Sequence, residues 1–216
     1  MNEYVGLALS FAYLGIILLI SLKLQKIPFE FSRKFVHILA ANWWFIAVYA
    51  FRSPWMASIV PFFFVIFNSV TYFFGWIPSI NKRDGQRNFG TIYYAISTLF
   101  LTFISFQPGA LQTVGGLGIL VMGYGDGLAS LIGRKWGSHP FQIFQAKKSF
   151  EGSATMFLVS LIVIYTYLTY ATGNVAIGAC LLVASVATLV EAICPWGLDN
   201  LLVPMMTSFV YFVYML

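Results

Sequence analysis

Four groups of ionisable residues interrupt a chain that is otherwise almost wholly apolar. The first is Arg33-Lys34-Phe35-Val36-His37. The second runs from Gly123-Tyr124-Gly125-Asp126-Gly127 to Gly133-Arg134. The third is Lys147-Lys148-Ser149-Phe150-Glu151-Gly152, and the last pairs Glu191 with Asp199-Asn200. Charges are costly inside a membrane, and those retained there usually mark function. If the groups meet on one side of a bilayer, they make a basic, carboxylate-containing site at its surface. Such a site suits phosphate chemistry on a lipid.

Each group has a structural reading and a chemical one. Asp126 stands among glycines, and Gly125, Ala129 and Gly133 recur every four residues on one helix face. A small-residue stripe of this kind serves close helix packing in membranes. It does not explain a carboxylate, which beside open backbone can hold Mg²⁺ while a nucleotide approaches. Arg134 and Lys148 lie close to candidate acids and suit phosphate binding, whereas Lys135 reads as an interfacial anchor. Lys147-Lys148-Ser149 leads into a span whose first backbone N–H groups can also receive phosphate. Glu151 either caps that span or ligates metal. Arg33 and His37 share a helix face with Lys34 beside them. Glu191 and Asp199 bracket Pro195-Trp196-Gly197; Asp199 is a helix cap, a base or a second metal ligand.

The elements that must position these residues are membrane helices. The chain has 216 residues, 60% hydrophobic and 9% charged. Its mean hydropathy is +0.84, the composition of an integral membrane protein rather than a soluble one. Aromatics at 19% fit interfacial belts. The net charge of +5 reads as a cytoplasmic excess of Lys and Arg, not a nucleic-acid surface. Cys180 and Cys194 match no metal spacing and read as small packing residues. Glu3 near the start, with no small-residue cleavage pattern after it, argues against a signal peptide.

Uncharged runs predict spans at 4–22, 35–51, 53–77, 89–106, 109–132, two within 152–190 and one at 200–216. Gln107-Pro108-Gly109 and Thr172-Gly173-Asn174 divide the long runs. The expectation is an all-α, polytopic bundle of about eight spans (seven to nine), forming one domain over 1–216. Lys23, Lys26, Arg33 and Lys34 fall in the first loop; Lys82, Arg83 and Arg87 in the third; Arg134, Lys135, Lys147 and Lys148 in the fifth. Only Arg52 falls in an even loop. The odd loops are therefore expected in the cytoplasm of a cell-membrane protein. Asp126 lies 18 residues beyond Pro108, about 27 Å along a helix. Glu191 reaches a similar depth from Asn174. The four groups are thus expected at one level on one side.

No stretch fits a P-loop, since Thr91 stands where its Lys belongs, and no G-x-S-x-G, H-E-x-x-H or paired C-x-x-C occurs. The ordered set Arg33-Lys34-x-x-His37, Arg87-x-x-Gly90-Thr91, Gly125-Asp126 to Gly133-Arg134-x-x-Gly137, Lys148-Ser149-x-Glu151-Gly152, and Glu191 with Asp199-Asn200 and Pro204 resembles the polyprenol kinase family. That family includes dolichol kinase, phytol kinase and CTP-dependent diacylglycerol kinase. The stretch Arg87–Tyr94 looks most like the phytol kinase branch. The resemblance implies a kinase that moves phosphate from CTP, with a divalent cation, to the hydroxyl of a membrane lipid alcohol.

On that reading Asp126, with Glu151, holds Mg²⁺. Arg33, Lys34, His37, Arg87, Gly125, Gly133, Arg134, Lys147 and Ser149 surround the nucleotide. Lys148 neutralises the transferred group, and Asp199 or Glu191 acts on the hydroxyl. The Asp126 and Lys148 motifs also resemble phosphatidate cytidylyltransferase. That enzyme's C-terminal signature is rich in Lys and His, and residues 191–204 contain neither. A transporter is the remaining alternative, but its ionisable groups would line mid-bilayer rather than one surface. Oligomerisation stays open, because the small-residue stripe can pack within or between chains.

Overall fold

A long central helix organises the chain, and its polar residues point inward while large apolar side chains cover the outside. The computed structural model describes residues 2–23, 29–74, 89–173 and 175–216. The first four helices are α1 (Glu3–Lys23), α2 (Phe29–Ala41), α3 (Trp43–Ala50) and α4 (Pro54–Phe74), and α5 is Gly90–Ser105. The central helix comprises α6 (Gln112–Leu120), a π-helical turn (Val121–Asp126) and α7 (Gly127–Trp136). An antiparallel hairpin follows, β1 (Pro140–Ile143) against β2 (Ala146–Ser149), with Phe141 opposite Lys148. The last helices are α8 (Phe150–Thr172), α9 (Ile177–Ile193) and α10 (Asp199–Met215).

The chain is an all-α membrane protein apart from that hairpin, which hydropathy does not signal. Among the described residues, four helices are long and apolar enough to cross a membrane: α1, α4, the central run Gln112–Trp136, and α8. α5 and α9 are shorter and apolar. Phe62, Ile66, Leu158, Ile162 and Leu189 face outward, whereas Lys34, His37, Asp126 and Glu191 are buried. This arrangement inverts a soluble protein and suits lipid surroundings.

Two boundaries differ from expectation. The span expected at 35–51 is broken at Asn42, whose side-chain oxygen accepts from Tyr124 Oη at 2.8 Å. Arg33 and Lys34, expected ahead of a span, lie inside α2 because the helix already begins at Phe29.

The core runs along the central helix: Trp44, Leu117, Met122, Met156 and Val203 are fully buried. Trp44 Nε1 donates to Tyr167 Oη at 3.1 Å, joining α3 to α8. At the end away from the ionisable groups, Glu3 Oε1 accepts from the backbone N–H groups of Arg52 and Ser53 at 2.6 and 2.9 Å. That contact fixes the start of α1 to the α3–α4 turn. The stripe Gly125–Ala129–Gly133 packs against α8 within the chain. A side chain at Gly152 would meet the Ala129 carbonyl at 3.2 Å and Gly133 Cα at 3.3 Å. Lacking Cβ atoms there, α7 and α8 approach closely.

Candidate active site

Asp126 ends the π-helical turn, a local widening of the helix that often accompanies functional sites. It is 1% exposed. Lys34, one turn above His37 on α2, donates to Asp126 Oδ2 at 2.5 Å. His37 Nε2 lies 3.4 Å from the same oxygen and 3.2 Å from the Met122 carbonyl. Tyr94 from α5 packs edge-on against the His37 ring at 4.4 Å and donates to its carbonyl. The first and second groups of the sequence thus meet in one ionic contact.

The third and fourth groups meet beside it. Lys148, on β2, donates to Glu191 and, at 3.0 Å, to Asp199 Oδ2. Burial disfavours the charge on Lys148, but the Asp199 and Glu191 carboxylates outweigh it and hold its pKa above the ordinary lysine value. The turn before α10 carries left-handed backbone at Trp196 (φ 55°) and Gly197 (φ 82°). Such a conformation at a tryptophan is costly and clusters at functional sites. It delivers Asp199 to Lys148 and Asn200 to the Gly197 carbonyl at 3.0 Å.

Asp126, Glu191 and Asp199, all buried, each offer a carboxylate oxygen within 4.8 Å of the others. Glu191 Oε2 and Asn200 Oδ1 are buried without a hydrogen-bond partner. An orphaned carboxylate oxygen in this setting is an unused ligand atom. Three hard oxygen donors fit a small divalent cation such as Mg²⁺.

Above these carboxylates lies a cavity of about 700 Å³. Arg33, Lys34, Arg134, Lys147 and Lys148 line it, against the three carboxylates. Arg33 and Arg134 are bridged by Glu30 of α2, at 2.8 and 3.3 Å. Ser149 caps α8, its Oγ accepting from Gly152 N–H at 3.1 Å, and Phe150 N–H donates to the His139 carbonyl.

Not every expected residue joins this set. Glu151 is engaged elsewhere: its carboxylate accepts from Ser138 Oγ at 2.6 Å and lies 2.7 Å from His139 Nδ1. The structure brings Glu191 and Asp199, not Glu151, to Asp126. Gly125 faces Met156 and Ser160 of α8, while Gly133 reaches the cavity wall. Arg87, with Lys26, Lys82 and Arg83, lies outside the described residues. The hairpin, the Glu30 bridge and the π-helical turn carry no signal in the sequence beyond glycine content.

No family model matches the chain, and no solved structure does. Among curated proteins, it is 35% identical to the phytol kinase of Synechocystis sp., over 94% of this chain and 88% of the relative. The chain belongs to the polyprenol kinase family of lipid kinases. A second family member, a probable chloroplastic phytol kinase of Triticum aestivum, is 30% identical over 84% of this chain and 66% of its own length. The CTP-dependent diacylglycerol kinase 1 of Schizosaccharomyces pombe is 28% identical over 58% of the chain and 61% of its length. Against these last two, the chain spans about two thirds of the relative or less.

Proposed function

We propose that the protein is a CTP-dependent kinase that phosphorylates the hydroxyl of a membrane lipid alcohol. The carrying observation is the meeting of two lysine–carboxylate contacts, Lys34–Asp126 and Lys148–Glu191–Asp199, beneath a cation-lined cavity at the end of apolar helices. The names of the relatives support both halves: phytol kinase for an alcohol acceptor, and CTP-dependent diacylglycerol kinase for the donor.

Phosphoryl transfer needs positioning and charge compensation more than covalent chemistry. Lys34 and Lys148 are held against carboxylates, ready for stronger partners. An incoming triphosphate takes up these ammoniums, with Arg33, Arg134 and Lys147 at the rim. Carboxylate oxygens of Asp126, Asp199 and Glu191 are the groups that would hold Mg²⁺. When bound, the ion offsets charge on the phosphates. The lipid hydroxyl oxygen attacks the γ-phosphorus, the bond to the bridging oxygen breaks, and CDP leaves. The hydroxyl proton passes to one of the buried carboxylates. Two of the first amides of α8 are already used by Ser149 and His139, so the phosphate charge falls chiefly to side-chain cations.

The bundle has about eight spans on this reading, with the site on the cytoplasmic side where the basic residues lie. Nucleotide products test the reaction. Purified protein with Mg²⁺, CTP and a lipid alcohol should yield CDP, and Asp126→Asn should abolish this while keeping the folded elution profile. Pyrophosphate release with phosphatidate would instead identify cytidylyl transfer. Near-normal turnover by Asp126→Asn would remove Asp126 from the reaction.

A further inference from the structure

A second cavity lies on the other side of α2, among α1, α2, α4 and α5. Its volume is about 140 Å³, close to the roughly 150 Å³ of an apolar cavity known to accept benzene. It is amphipathic along its length. Arg33 and Thr91 line it from near the starts of α2 and α5, and Asn68 Nδ2 donates to the Thr91 carbonyl at 2.9 Å. Leu14 from the middle of α1 and Val60 and Pro61 from the first half of α4 give it apolar lining. Leu18 and Phe64 on its edge are half-buried, so it meets the outer surface of the bundle between α1 and α4. Three buried polar atoms in its wall have no hydrogen-bond partner: Trp43 Nε1, Thr91 Oγ1 and Thr98 Oγ1.

Two residues join this cavity to the ionic site. Arg33 lines both. His37 lines the apolar cavity while its Nε2 lies 3.4 Å from Asp126. A ligand here has a polar end against Arg33, His37 and Thr91 and an apolar, branched segment below.

The geometry points to this cavity as the acceptor site, taking the hydroxyl-bearing end of an isoprenoid alcohol with the rest of its tail passing between α1 and α4 into the bilayer. The assignment rests on the kinase reading above. A cavity of this size holds about one isoprene unit, so a methyl-branched chain fits beside the hydroxyl. The glycerol backbone of a diacylglycerol, with two ester-linked chains close to its hydroxyl, does not. The placement makes Asp126, reached past His37, the carboxylate nearest the acceptor.

The test uses the full chain in lipid nanodiscs with geranylgeraniol carrying a diazirine on its first isoprene unit. Photolysis should label peptides from Pro54–Phe74 and Gly90–Ser105. Unlabelled phytol should compete at least tenfold better than diacylglycerol. Ala95→Phe, which fills the cavity from α5, should abolish the label, whereas Leu158→Phe on the outer face of α8 should leave it intact. Labelling confined to α8, α9 or α10, or equal competition by diacylglycerol, overturns the assignment. The same preparation is assayed for label transfer from CTP. Phosphorylation of the alcohol with crosslinks elsewhere sinks the acceptor site and spares the kinase. Crosslinks in the cavity with no phosphorylated alcohol sink the kinase and leave only an alcohol-binding cavity, not an acceptor site.

Discussion

Replacing Lys148 by Met should unfold the site before it touches any other part of the molecule. Lys148 is the shared partner of Glu191 and Asp199, which are 4% and 8% exposed. Without it, two buried carboxylates face one another with oxygens no more than 4.8 Å apart. At an effective dielectric of about 20, that repulsion is about 3.5 kcal/mol. It matches the roughly 3–5 kcal/mol lost when one member of a buried ion pair is removed. At about 3 °C per kcal/mol for a chain of this size, the midpoint of thermal denaturation in detergent should fall by about 10 °C. A second substitution, Glu191→Gln, removes the repulsion and should restore most of the loss, although neither variant transfers phosphate. The double-mutant cycle is the decisive part, because it isolates the interaction from the missing side-chain volume. An unchanged midpoint for Lys148→Met, or a double variant no better than the single one, would refute the electrostatic account of the cluster.

Glu151→Gln should keep turnover and Mg²⁺ dependence within a few-fold of the parent, since Glu151 is occupied by Ser138 and His139; loss of metal dependence would restore it as a ligand. Gly152→Val should lower stability by about 1–3 kcal/mol through overpacking, because even the first added carbon lies 3.1 Å from Ser149 Oγ and 3.3 Å from Gly133 Cα. Thermal denaturation with cysteine crosslinking between α7 and α8 reads the expected separation of those helices.

Helices were the legible part of the sequence, because uncharged runs long enough for a membrane report their own ends. That Asp126 and Glu191 come to one level was also legible, since rise per residue converts the counts from Pro108 and Asn174 into similar distances, and their carboxylate oxygens do lie within 4.8 Å of each other. What could not be read is how charges pair. Lys34–Asp126 spans 92 positions and Lys148–Asp199 spans 51, and no local pattern chooses between partners at such separations. Glu151 illustrates the cost: four residues from Lys147, it looks like part of the site, yet the hairpin turns His139 back onto it. The hairpin was hidden for a related reason. Pro140–Ile143 and Ala146–Ser149 are too short and mixed in polarity to give a period, and β2 packs against both α8 and α9, the latter distant in sequence from β1. The break at Asn42 likewise depends on Tyr124, a distant partner.

The most direct test of the central claim follows the phosphorus. Purified protein in lipid vesicles with Mg²⁺ receives CTP labelled on the γ-phosphate and a panel of phytol, geranylgeraniol, polyprenols and diacylglycerol. Label should appear in the monophosphate of an isoprenoid alcohol and be absent with Asp126→Asn. No labelled lipid, with labelled pyrophosphate formed on adding phosphatidate, would contradict the kinase account and place the chemistry at the α-phosphate instead.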